Sequence, residues 1–417
     1  MKILILADDL TGSADCVAGF VRSGRSVRLG LGSDILIQSA DILALDLDTR
    51  RRTKVEAGDV CVQAYRKLIQ PGTILFKKID SLLRGNWSDE VAALCNEAGL
   101  AIIAPAYPLM GRTVVNGRVY VHGHDLSTTD DWKIAKSGEE TEIGLILRAS
   151  HIESISLTDA DVALYAEHLT DKIQEWAESG VKALIIDSRI SQTLHTVAVA
   201  ASNVISPVFL VGSAGLANEL AEIANPVPDS SYAPFFASNG STVVVVGSLS
   251  AMTSSQTQNL QQLTSQEEIV VPASVLRTGV RHPEWPLFQR RIMQLIKFRD
   301  DFILRIGKEE HVDYSEGRLL SERLALLIAP YIKVLKGIIL TGGETARAVM
   351  DAAHINELSV KCEITRGVMA SRPCETSKLL FPWVITKAGS FGDSTSLHMA
   401  WNWLKHLPEY SNYRINN

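Results

Sequence analysis

At 417 residues, with 46% hydrophobic and 21% charged side chains, the chain can fill sizeable cores and is too long for one ordinary domain, so two are expected. A net charge of −6 and one short basic triplet, Arg50-Arg51-Arg52, exclude the electrostatic footprint of a nucleic-acid or anionic-membrane binder. Five scattered cysteines, Cys16, Cys61, Cys95, Cys362 and Cys374, lack metal-like pair spacing. No apolar stretch approaches the ~20 residues that a membrane helix needs, and a cytoplasmic setting is expected.

The first apolar run, 3–7, is too short for a signal h-region and ends on Asp8-Asp9. Further runs at 42–45, 73–76, 101–104, 183–186 and 208–211 alternate with longer amphipathic stretches. Runs apolar on consecutive residues suit strands buried on both faces, as in a parallel sheet covered by helices. Residues 123–156 read as a loop-rich excursion with no assigned topology. Between 225 and 241 the sequence turns proline-rich and poor in helix formers. The pattern then restarts at 242–246, 268–271, 302–306, 337–340 and 383–386. The expected fold is α/β: two α/β domains with mainly parallel sheets, 1–225 and 242–417, joined by a linker at 226–241.

Open α/β sheets bind ligands beyond the carboxyl ends of their strands. Three such ends in the first half are densely charged: Asp8-Asp9-Leu10-Thr11-Gly12, Asp46-Leu47-Asp48-Thr49-Arg50-Arg51, and Lys77-Lys78-Ile79-Asp80-Ser81-Leu82-Leu83-Arg84. Arginine grips a carboxylate through two parallel bonds, and aspartate accepts from vicinal hydroxyls. A polyhydroxy acid offers both partners. Taken singly, Asp9 or Thr11 would serve equally well as a helix cap, and the Arg and Lys residues as solvated strand ends.

In the second half three glycine turns each follow an apolar run and precede a helical stretch: Gly247-Ser248-Leu249-Ser250, Thr341-Gly342-Gly343-Glu344-Thr345, and Lys387-Ala388-Gly389-Ser390-Phe391-Gly392-Asp393. Such turns present backbone N–H groups and a helix N-terminus, which favour phosphate. Neither a P-loop nor a Gly-x-Gly-x-x-Gly fingerprint is present, which argues against a P-loop NTPase and an NAD-linked dehydrogenase. Gly212-Ser213-Ala214-Gly215 is a similar turn in the first half. His122-Gly123-His124-Asp125 lacks helical metal-ligand spacing, so no structural metal is assigned. Trp401 and Trp403 are read as packing the last helix.

Together these motifs, in this order and across essentially the whole chain, resemble the four-carbon acid sugar kinases. The resemblance implies an N-terminal domain for the sugar acid, a C-terminal domain for ATP, and reaction in the cleft between them. It further implies phosphorylation of the terminal C4 hydroxyl of D-threonate, with D-erythronate or a 3-oxo-tetronate as alternatives and Mg²⁺ as the metal. Carried onto this chain, it assigns the sugar acid to Asp8, Asp9, Arg50, Arg51, Lys78, Asp80, Ser81, Leu82, Leu83 and Arg84. It assigns the nucleotide to Ser248, Ser250, Gly342, Gly343, Glu344, Thr345, Gly389, Ser390, Phe391 and Gly392. Leu82 stands where family members often carry threonine, which leaves the preferred acid open. Asp8, Asp80 and Asp393 are the candidate general bases. A homo-oligomer is compatible with the sequence, and a non-catalytic sensor of sugar acid and nucleotide is the rival of another class.

Overall fold

The computed structural model describes residues 1–33, 40–129, 132, 140–224, 235, 237–248, 250–309, 316–374, 382–389 and 391–408. The chain separates into two compact units, Met1–Pro228 and Asp229–Asn417.

In the first unit the strands are β1 (Lys2–Ala7), β2 (Val27–Leu31), β3 (Ile42–Asp46), β4 (Thr73–Lys78), β5 (Leu100–Ala104), β6 (Arg112–Val115), β7 (Arg118–Val121), β8 (His124–Asp125), β9 (Ser154–Leu157), β10 (Ala183–Ile186) and β11 (Val208–Gly212). Eight of them pair side by side in the order β2-β3-β1-β4-β11-β5-β10-β9, every pair parallel. The apolar runs of β1 and β5 are buried almost throughout, as strands covered on both faces require. Expected strands lie where the runs placed them. β2 and β9 are additional: Arg28 and Gly30 interrupt the apolar run of the first, and the second is a largely uncovered edge strand in which only Leu157 is buried. β6, β7 and β8 form a small antiparallel sheet. Part of the 123–156 excursion is therefore ordered, with a helix over Ile143–Ala149 before β9.

In the second unit β12 (Thr242–Val246), β13 (Glu267–Val271), β14 (Phe302–Ile306), β15 (Gly337–Thr341), β16 (Glu357–Thr365), β17 (Val368–Pro373) and β18 (Trp383–Lys387) stand in the order β13-β14-β12-β15-β18-β17-β16. The first five are parallel, and the last two join by antiparallel pairing. The hairpin β16–β17 is not among the runs read from the sequence, because half-buried polar residues break its apolar pattern.

The core of this unit gathers Val244, Ile339, Ile385, Leu397 and Trp383. Trp401 is buried there and its indole N–H donates to Asp301 at 2.7 Å, while Trp403 packs edge-on against Trp383, as expected of packing residues. Much of the segment read as a linker falls outside the described residues. Its end packs into this core: Ala237 is buried, and Phe235 lies edge-on to Trp383. Among the described residues no helix is long and apolar enough to cross a membrane.

Candidate functional site

In each unit the polar residues meet because of register. In the first unit Ala7 of β1 pairs with Asp46 of β3 and Lys78 of β4, and Lys78 pairs with Gly212 of β11. The segments that follow therefore leave the sheet at one level. β1 is also where the chain order reverses: β2 and β3 lie on one side and β4 on the other. That switch point is the crevice in which open α/β sheets place ligands.

Asp9 is extended and caps α1 (Leu10–Arg22), accepting from the Gly12 N–H at 2.9 Å. The same carboxylate lies 3.3 Å from Arg50, so capping and charge pairing coexist at one residue. Arg50 Nε donates to Asp8 Oδ2 at 2.8 Å. Asp8 is buried, and its other oxygen, Oδ1, has no hydrogen-bond partner among the described residues. Burial pushes the Asp8 carboxyl upward, but the charges of Arg50, Lys77 and Lys78 outweigh it and hold the group below the usual carboxylate range. Burial likewise disfavours the charged Arg50, and Asp8, Asp9 and Asp80 more than compensate.

Gly85 crosses directly over this pair at φ +88°, and a Cβ there would lie 3.2 Å from Asp8 Oδ2 and 3.3 Å from Arg50 Cγ. A side chain at Gly12 would stand 2.5 Å from the Asp9 carboxylate. Both glycines are needed for close backbone approach.

Asp80 pairs with Arg84; against its burial, the charges of Arg84 and Arg50 keep its carboxyl well below the usual range. Ser81 accepts from Arg112 of β6. Lys78 Nζ donates to the Ile79 carbonyl at 2.9 Å. Leu82 and Leu83 are buried and anchor the turn, with Leu83 in the left-handed region at φ +56°. Arg50 joins the cluster through Asp8 and Asp9, and Arg51 beside it is exposed.

Two participants escaped sequence reasoning. Arg112 lies on a short strand far along the chain. Lys77 looked like a strand-end cation, yet it is fully buried in an ion pair with Glu90 at 2.8 Å. Burial lowers its proton affinity, and Glu90 with Asp8 more than restores it.

In the second unit Val246, Thr341 and Lys387 are in register across β12, β15 and β18, so the three glycine turns also leave the sheet together. The switch point lies between β12, whose chain proceeds to β13 on one side, and β15 on the other. A Cβ at Gly247 would stand 1.8 Å from Thr345 Oγ1, and one at Gly389 2.6 Å from Ser248 Oγ. Gly342 at φ +89° starts the helix Gly343–Ala352, whose N-terminus has no side-chain cap, leaving first-turn N–H groups for an anion. Glu344 is exposed in that first turn, and Thr345 is buried.

Ser250 caps the helix Ala251–Thr264 and donates to the Gly389 carbonyl at 3.2 Å. The buried Lys387 ammonium donates to the carbonyls of Ala388 at 2.7 Å, Gly389 at 3.2 Å and Phe391 at 3.0 Å. With those oxygens drawn inward, planar trans peptides turn the N–H groups of Gly389 and Gly392 the opposite way. Burial brings the Lys387 ammonium down to about 8. The lysine that opens the third glycine turn in the sequence thus organises that turn. Ser390 lies outside the described residues. Asp393 is exposed and accepts from the Thr395 N–H and hydroxyl, a capping arrangement.

Fold and clusters define a class of protein that joins a sugar-binding domain to a nucleotide-binding one. Residues 3–220 match the sugar-binding N-terminal domain family, and residues 243–397 the nucleotide-binding C-terminal domain family. The chain belongs to the four-carbon acid sugar kinase family. It is 36% identical to a D-threonate kinase of Cupriavidus necator, over 96% of this chain and 97% of that one. It is 27% identical to a D-threonate kinase of Salmonella typhimurium, over 95% and 97% respectively; more distant matches are D-erythronate and 3-oxo-tetronate kinases. A crystal structure from Salmonella typhimurium LT2 superposes with a TM-score of 0.81 at 20% identity, covering 96% of this chain and 98% of that one, and supports the fold alone.

Proposed function

We propose that this chain is an ATP-dependent kinase that phosphorylates the C4 hydroxyl of D-threonate. The observation that carries the reading is Asp8: a buried carboxylate fixed by Arg50, with one oxygen still lacking a donor, beside the Asp80–Arg84 pair. A buried acceptor without a partner costs roughly 1–3 kcal/mol, and a substrate hydroxyl would relieve that cost. The end-to-end match to a D-threonate kinase supports this acid over erythronate or an oxo-tetronate.

In the proposed reaction the C4 oxygen bonds to the γ-phosphorus and the bond from that phosphorus to the β-bridging oxygen breaks. The electron pair leaves on ADP, and the hydroxyl proton passes to a carboxylate. Asp8, Asp80 and Asp393 are the candidates, Asp8 first because of its position. Arg50 and Lys78 hold the acid, and the uncapped helix start at Gly343 with the Gly389 and Gly392 N–H groups receives phosphate oxygens. Mg²⁺ would be held largely by phosphate oxygens and water, as is usual for this ion. The acids carried by the glycine turns are Glu344 and Asp393, and the latter already accepts from Thr395. We place the enzyme in the cytoplasm, whose reducing conditions suit the five scattered thiols.

The test is ADP release from ATP with D-threonate, L-threonate, D-erythronate, L-erythronate and their oxo derivatives, with the product located by phosphorus NMR. D-threonate should give the highest kcat/KM and a 4-phosphate. Absence of acid-dependent ADP release with every compound would overturn the reading and leave a sensor.

A further inference from the structure

The hairpin β6–β7 belongs to the separate antiparallel sheet, yet it is fastened to the carboxyl ends of the parallel strands. Asn116 and Gly117 form its two-residue turn, both at positive φ (+51° and +69°), as the twist of a tight hairpin requires. Their N–H groups donate to the two carboxylate oxygens of Asp187, at 2.6 and 2.8 Å, just beyond β10. Val114 exchanges a pair of backbone bonds with Ser188, and Arg112 a pair with Tyr107, beyond β5. Asp187, Ser188, Tyr107 and Val114 are all buried, so these fastenings are made away from water. The first residue of the hairpin, Arg112, reaches on to donate to Ser81, beyond β4. In the strand order β3-β1-β4-β11-β5-β10, Arg112 thus approaches the acid cluster from the side opposite Arg50, which follows β3.

We propose that Arg112 is a specificity-determining residue of the acid site, gripping the substrate carboxylate with its guanidinium fork while the Ser81 hydroxyl donates to the same group. The inference rests on the sugar-acid kinase reading above and adds to it the residue that recognises the carboxylate itself, beside Arg50 and Lys78. The other two arginines of the cluster are engaged with aspartates: Arg50 with Asp8 and Asp9, and Arg84 with Asp80. A carboxylate drawn to either of them meets a neighbouring anion as well. At Ser81, Arg112 meets a hydroxyl, and a hydroxyl that accepts from a guanidinium keeps its own proton to give. Ser81 is buried, and bonds made in such surroundings are stronger than in water. The planar fork matches the two oxygens of a carboxylate, which a lysine cannot do. Because the strand is fastened on both sides, little conformational freedom is lost when the acid binds.

The experiment uses the full chain with Arg112→Ala and Arg112→Lys, at a position only half-buried; thermal midpoints verify that both variants fold. Calorimetric titration of D-threonate without nucleotide is paired with steady-state kinetics at varied D-threonate and varied ATP. Arg112→Ala should raise the Kd and KM for D-threonate by about 10–150-fold, the loss of a charge-assisted pair. A grip on the carboxyl end is made equally before and during transfer, so kcat should stay within about threefold and the KM for ATP within about twofold. Arg112→Lys keeps the charge without the fork and should recover only part of the affinity. A folded Arg112→Ala enzyme whose Kd and KM for D-threonate are unchanged overturns the assignment, as does full recovery by lysine or a collapsed kcat at unchanged KM. An unsubstituted chain that binds D-threonate, loses that binding in Arg112→Ala and yet releases no ADP with any tetronate overturns the kinase reading while sustaining the carboxylate grip. Failure of the unsubstituted chain to bind any tetronate overturns both.

Discussion

Replacing Asp8 by asparagine isolates the proposed role of its unpartnered oxygen. Asn is nearly isosteric, so the change is one of charge and of hydrogen-bond polarity. Arg50 Nε sits 2.8 Å from Oδ2 and can only donate, so the amide must turn its oxygen toward Arg50 and its NH₂ toward the position now held by Oδ1. A donor then faces the substrate hydroxyl in place of an acceptor. Loss of one charge-assisted bond of about 1.5–3 kcal/mol corresponds to roughly 10–150-fold in kcat/KM. If Asp8 also takes the proton, kcat should fall by a further ~10²–10⁴-fold. Coupled ADP release at varied D-threonate separates the two: a higher KM with retained kcat marks a binding wall, and a collapsed kcat marks the base. Asp80→Asn and Asp393→Asn, assayed alongside, complete the comparison. Asp8→Asn enzyme with both kcat and KM within twofold of the unsubstituted chain would falsify the placement of this residue in the site.

Lys77→Met should destabilise the protein by about 3–5 kcal/mol in denaturant unfolding, because it strands the fully buried Glu90 carboxylate. Adding Glu90→Leu should recover most of that loss, and a single variant within about 1 kcal/mol of the parent would show that the pair is not held as described. Gly247→Ala drives a Cβ into Thr345, and overpacking of that kind costs about 1–3 kcal/mol; a lower thermal midpoint and a raised KM for ATP are expected, both partly restored by Thr345→Ala. Lys387 yields a pH signature. The unfolded chain holds this proton up to the usual value near 10.5, while the folded one releases it near 8. Between those values the unfolded state binds more protons, so raising the pH favours the folded state, by up to about 3 kcal/mol across the window. Lys387→Met should lack this gain when the two are compared by unfolding at pH 7 and pH 10, and parallel curves would refute the buried ammonium.

The consecutive apolar runs of β1, β5 and β12 by themselves dictated parallel strands covered on both faces, and the polar or glycine-rich residues ending them marked both clusters. Those features are legible because burial on two faces leaves no freedom in local composition. The polar residues mixed into β16 and β17, such as Glu357, Lys361, Glu363, Ser371 and Arg372, carry no such constraint, and their pairing follows from the neighbours that the folded sheet supplies. The same distinction holds within the site. Asp8, Asp80 and the glycine turns announce themselves by position in the sequence. That Arg50 and not Arg51 meets Asp8, that Lys77 is sealed against Glu90, that Arg112 reaches Ser81 from a distant strand, and that Lys387 gathers three carbonyls were decided by tertiary structure. Each depends on which strands lie side by side and in what register, and a charged side chain finds its partner only once the sheet has brought the two together.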